Sequence, residues 1–149
     1  MIRGLEAIRT DWTPLAREAQ RELLERVFAG QAWEAWLRAL RAQVLAGALD
    51  AQLVYRKRLR RDVGEYQSVP PHVRAARLQA EAEPEVEAPA TDVEYVMTVR
   101  GPEPLSHRTA PIDYGHYLEK QLAPAVDVVL GQLGTSYARV AGNQLELFE

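Results

Sequence analysis

Only two interior stretches of this chain alternate in the way a strand requires, and that scarcity limits the folds open to it. Residues 53–59, LVYRKRL, lie between Gly47 and Asp50 on one side and Asp62 and Gly64 on the other. Residues 93–99, VEYVMTV, stop at Gly101-Pro102-Glu103-Pro104. Backbone N–H and C=O groups in a strand need partners, and with few other strands in the chain these two are natural partners. Elsewhere apolar residues recur at spacings of three and four. The expected fold class is therefore α+β, mainly helical around a small antiparallel sheet.

Thr13 before Pro14 reads as an N-cap followed by a proline at the first helical position, so a helix is predicted from there to Gly30. Its apolar face would carry Leu15, Ala19, Leu23 and Val27, with Leu24 and Phe28 beside them. A second helix, with Trp33, Trp36, Leu37, Leu40 and Val44 on one face, closes at Gly47, and the two are expected to form an antiparallel hairpin. The tryptophans could stack on bases, but at helical spacing beside Leu37 and Leu40 they read as core. Pro70-Pro71 opens a third helix with Val73, Ala76 and Leu78 inward and Arg74 and Arg77 outward. Asp113 caps a last helix through Tyr117, Leu118 and Leu122, which Pro124 breaks or restarts toward Val126, Val129 and Leu130.

Charge is spread unevenly along this framework. Residues 53–78 carry seven basic side chains against two acidic, +5 in a chain whose total is −3, while residues 79–94 carry six acids and no base. On the first strand Arg56, Arg58 and Arg60 share a face, each roughly 6.6 Å from the next, while Leu53, Tyr55 and Leu59 point the other way. A row of guanidinium forks suits a polyanion, since they match phosphate geometry. A solvated edge strand is the bland alternative. His72, in the first turn of the third helix, fits either a satisfied structural histidine or a backbone contact to a polyanion. Residues 79–91, QAEAEPEVEAPAT, are expected to form a flexible acidic linker or loop.

Several chemistries are not expected. The chain has no cysteine, so disulfides and thiolate metal sites are excluded, in keeping with a cytoplasmic setting. No run of about 18 apolar residues is present, so no membrane span is expected. Asp113, His116 and Glu119 share a helical face, but without a second converging element they read as solvated, and His72, His107 and His116 lack ligand spacing. No phosphate loop or nucleophile elbow occurs. No catalytic residue and no metal ligand are assigned.

The run LVYRKRLRR, then EYQ, then PPHVRAARL closely resembles the thumb region of bacterial family B DNA polymerases. RGLEAIRTDWTPLA at 3–16, VEYVMTVRGPEPL at 93–105, PIDYGHYLEKQLAP at 111–124 and QLELF at 144–148 follow the same order. The resemblance implies that residues 1–12 end a palm, 13–140 form the thumb and 141–149 form a flexible tail. It implies a fragment that grips duplex primer–template DNA through Arg56, Lys57, Arg58, Arg60, Arg61, Tyr66, His72, Arg74 and Arg77, within a nucleoid-associated polymerase. The family's metal-binding carboxylates lie in motifs absent here, so Mg²⁺ is expected for the full-length enzyme and no cofactor for this part. Gln144, Leu145, Leu147 and Phe148 have the pattern of a peptide that binds the bacterial sliding clamp, an apolar anchor with an amide at the rim. Asn143 and the trailing Glu149 depart from the usual form of that peptide. A stand-alone adaptor that binds clamp and DNA without polymerase activity is the alternative function.

Overall fold

The computed structural model describes residues 12–58, 70–83 and 92–142. The chain divides into two compact units, residues 1–53 with 114–149 and residues 54–113, so the span 13–140 contributes to both.

The first unit is helical. Helix α1, Pro14–Phe28, starts where its cap predicts: the Ala16 N–H donates to the Thr13 hydroxyl oxygen at 3.5 Å. Helix α2 spans Glu34–Leu45. Gly30 and Gly47 stand just past the two helix ends at φ +70° and +78°, a left-handed conformation that terminates a helix and suits glycine. The last helical run begins as α4, Tyr114–Tyr117, widens into a π-turn over Leu118–Leu122, and continues as α5, Ala123–Leu130. Pro124 explains the widening, because it has no N–H to donate into an α-turn and its ring crowds the preceding one. The Ala123 N–H instead reaches back five residues to the Leu118 carbonyl.

Helix α1 packs chiefly on α5 and the π-turn, and α2 packs on α4 and the closing turn Ala138–Gly142. This corrects the expected α1–α2 hairpin; between those helices lies an open cleft of about 220 Å³ lined by Leu15, Ala19, Trp36 and Leu40. The physical reason is the strongly apolar surface of α5, where Ala125, Val126, Val129 and Leu130 are all buried. Two buried polar clamps fix the same seam. Gln20 Nε2 donates to the Ala125 carbonyl at 2.9 Å, and both the Thr13 N–H and hydroxyl donate to Gln121 Oε1 at 2.8 and 3.1 Å. Phe28, assigned to the apolar face, is 75% exposed, because it sits in the last turn beyond the reach of α5.

The second unit holds the sheet. Strands β1, Tyr55–Arg58, β2, Asp92–Thr98, and β3, Gly101–Pro104, form an antiparallel sheet in the order β1-β2-β3. The pairing of the two predicted strands is therefore observed, with Tyr55 opposite Tyr95. The third strand corrects the reading of Gly101–Pro104 as a mere stop. A two-residue turn at Val99 and Arg100 reverses the chain, and the Thr98 hydroxyl both donates to the Gly101 carbonyl at 2.7 Å and accepts from the Arg100 N–H at 3.1 Å. Prolines are tolerated there because β3 is an edge strand.

Helix α3, Pro71–Ala82, packs on β3 and β2. It covers the expected body VRAARLQA and continues through Glu81 and Ala82 into the segment read as a loop, since these residues are good helix formers. Leu78, expected inward, is 40% exposed; Val73, Ala75 and Ala76 form the buried face with His72. Residues 1–11, the remainder of the acidic segment from 84 to 91, and the tail from 143 onward lie outside the described residues.

Candidate nucleic-acid interface

Strand β1 has one buried anchor and three exposed cations. Tyr55 is buried and stacks on Tyr95, with ring centroids 5.0 Å apart and an interplanar angle of 15°, which fixes the strand's register against β2. Arg56, Lys57 and Arg58 are all exposed. By the ladder Lys57, opposite Val93, shares the face of Tyr55, yet it too is exposed. Arg60, Arg61 and Tyr66 lie outside the described residues.

The ladder places an acid across from each arginine: Arg56 opposite Glu94 and Arg58 opposite Asp92, with Lys57 opposite Val93. Arg56 donates from Nε to Glu94 Oε2 at 3.2 Å, and its terminal nitrogen forms an ion pair with the same oxygen. Both side chains are well exposed, at 70% and 44%. Through its hydrogen bonds first and its charge second, Glu94 raises the Arg56 pKa still further, and Asp92 adds a small push in the same direction. Sequence reading did not single out these two carboxylates, although their spacing of two on β2 was the signal that they share a face.

Helix α3 contributes Arg74, which is exposed, and Arg77, which is half-buried. The Arg74 guanidinium lies over Gly101, where φ is +107°; a Cβ built there would stand 3.4 Å from its nearest nitrogen. His72 is 6% exposed, and burial first, then the charge of Lys57, lowers its pKa. Neutral imidazole is thus favoured at that position, in the first turn of the helix. On β3, buried Glu103 accepts from the Thr109 N–H at 2.7 Å, the Thr109 hydroxyl at 3.1 Å and the Ala110 N–H at 3.1 Å. Burial raises its pKa, but these hydrogen bonds outweigh that and the net shift is downward.

Among the described residues no three His, Asp or Glu side chains converge on a point where a metal ion could be held. Among the same residues no helix is long and apolar enough to cross a membrane. The tail positions Gln144, Leu145, Leu147 and Phe148 lie outside them.

No family model matches the chain. Its fold is like that of the family B DNA polymerase from the hyperthermophilic archaeon Pyrobaculum calidifontis, with a TM-score of 0.68 over 85% of this chain and 18% of that one. At 24% identity this likeness concerns fold alone. Relatedness in sequence covers nearly the whole of this chain, which is similar to one part of DNA polymerases. It is 45% identical to DNA polymerase II of Escherichia coli (strain K12) over 154 residues, covering 99% of this chain and 20% of that protein. It is also 34% identical to DNA polymerase 2 of Aeropyrum pernix over 152 residues, covering 94% of this chain and 19% of that protein. The chain thus spans about a fifth of the length of these two relatives.

Proposed function

We propose that this chain serves as the thumb of a DNA-directed DNA polymerase, gripping the newly made duplex by its phosphates. One observation carries the reading: three consecutive exposed cations on an edge strand, Arg56, Lys57 and Arg58, in a chain whose relatives are DNA polymerases. Arg74 and Arg77 on α3 would add further cations, Arg74 standing over Gly101 of β3, and Arg60, Arg61 and Tyr66 come after β1 in sequence. His72, being buried, would act by holding the start of α3 rather than by presenting a charge. Phosphate contacts position without specifying sequence, which is what a polymerase that copies any template needs. Nucleotide transfer would belong to carboxylates elsewhere in the whole protein, and the chain alone would be inactive.

The tail would add a second function. Gln144, Leu145, Leu147 and Phe148 would dock on the bacterial sliding clamp, with burial of Leu147 and Phe148 each contributing about 1.5–3 kcal/mol, so that a tail peptide binds at roughly micromolar strength.

Duplex affinity measured across a salt series tests the first part. With about four phosphates neutralised, log K should fall against log salt with a slope of roughly −3.6. Replacing Arg56, Lys57 and Arg58 together with Gln should flatten it. An unchanged slope and affinity would remove the strand from the interface. The clamp part is tested by Leu147→Ala with Phe148→Ala, which should abolish clamp binding and leave duplex affinity as it was.

A further inference from the structure

In an antiparallel pair, residues directly opposite one another project from the same face of the sheet. The register of β1 against β2 therefore sets Glu94 beside Arg56 and Asp92 beside Arg58, while Lys57 falls opposite apolar Val93. The outward face of the row that carries the proposed DNA contact is thus matched, cation for anion, by the neighbouring strand. At Arg56 the match is a made contact: Nε and one terminal nitrogen of the guanidinium, one edge of its fork, already bind the Glu94 carboxylate. A fork engaged in this way cannot offer that edge to a phosphate.

We propose that Glu94, with Asp92 in a lesser role, screens the arginine row, so that a duplex phosphate engages Arg56 or Arg58 only by displacing a carboxylate. This rests on the reading of β1 as a DNA-binding strand and adds to it a built-in brake on affinity. The exposure of the Arg56–Glu94 pair makes the exchange feasible, because an ion pair in water is worth little and is readily traded. Screening also separates the three cations by role. Lys57 meets phosphate without a carboxylate opposite, whereas the arginines bind only in exchange, which favours contacts that form and break as duplex moves past.

The test is duplex affinity of the full 149-residue chain, measured by fluorescence anisotropy with a labelled duplex over a salt series. Glu94→Gln keeps the shape and removes the charge. It should tighten binding roughly two- to fivefold, the range an exposed ion pair is worth, and steepen the salt slope by up to about 0.9. Most of that gain should vanish in the Arg56→Ala background, since the carboxylate then has no guanidinium to occupy. Asp92→Asn is an independent second variant and should tighten binding by less. If Lys57→Gln weakens binding but Glu94→Gln and Asp92→Asn leave it unchanged or weaker, the strand binds DNA and the screen does not exist. If Lys57→Gln, Arg56→Ala and Arg58→Ala all leave affinity unchanged, the DNA-binding reading fails and the screen falls with it.

Discussion

The two units keep their form by different means. Every leucine below 2% exposure among the described residues, namely Leu15, Leu23, Leu37, Leu53, Leu122 and Leu130, belongs to the helical unit, together with Tyr117 and Val44. The large side chains equally buried in the sheet unit are Val73, Val93 and Val96. Burying one such aliphatic side chain contributes about 1.5–3 kcal/mol, so the helical unit rests mainly on apolar contacts, to which the Gln20 and Gln121 clamps add specific hydrogen bonds. The sheet unit has a thinner core and relies on specific polar anchors: Glu103 pinning Thr109 and Ala110, Thr98 closing the hairpin, and His72 buried in α3. A scaffold of the first kind tolerates chemistry on its surface with little consequence. One of the second kind ties its stability to pH and to single hydrogen bonds.

Substitutions can break this contrast. Leu122→Ala, at 0% exposure beneath α1, should cost about 2–5 kcal/mol in chemical denaturation; a loss under 1 kcal/mol would mean that the helical seam is loosely packed. Glu103→Ala leaves two N–H groups without their acceptor and should cost about 1–3 kcal/mol, with hydrogen exchange quickening at Thr109 and Ala110. If those amides keep their protection, the sheet unit does not depend on that anchor.

Acidification gives a smaller effect with a defined sign. The folded pKa of His72 lies below its ordinary 6.5, so the unfolded chain takes up that proton more readily. Its contribution is complete above 6.5 and is lost as pH falls through the folded value, and His72→Gln should flatten that part of the stability profile. A wild-type profile equally flat there would show that the imidazole is not a pH-sensitive anchor. Smallest of all, Phe28→Ser at the exposed end of α1 should change stability by no more than about 0.5 kcal/mol.

The contrast also explains what was legible in the sequence. Helix starts and stops are local chemistry, and Thr13-Pro14, Gly30, Pro70-Pro71 and Gly47 announce them without reference to the rest of the fold. Strands 53–59 and 93–99 were legible as a pair because so few candidates competed. The choice of α5 as the partner of α1 was not legible, because it depends on which apolar face meets which at long range. The burial of Gln20 and Gln121 was not legible either, because their hydrogen-bond partners lie more than a hundred residues away in sequence. At the candidate site, exposed cations are visible in composition, but the carboxylates facing them emerge only when pairing is resolved to the residue. The same shortfall applies to His72, whose burial depends on how α3 sits on β2 and β3.

The Pro-Glu-Pro run of β3 has a consequence beyond closing the hairpin. An edge strand normally offers free N–H groups to any extended peptide that drifts alongside, which is how sheets recruit one another into aggregates. Pro102 and Pro104 have no N–H to offer, so the outer rim of β3 carries acceptors without the donors that a visiting strand would need to align. In a crowded solution the sheet is thereby kept from growing on that side, at no cost to the pairing with β2.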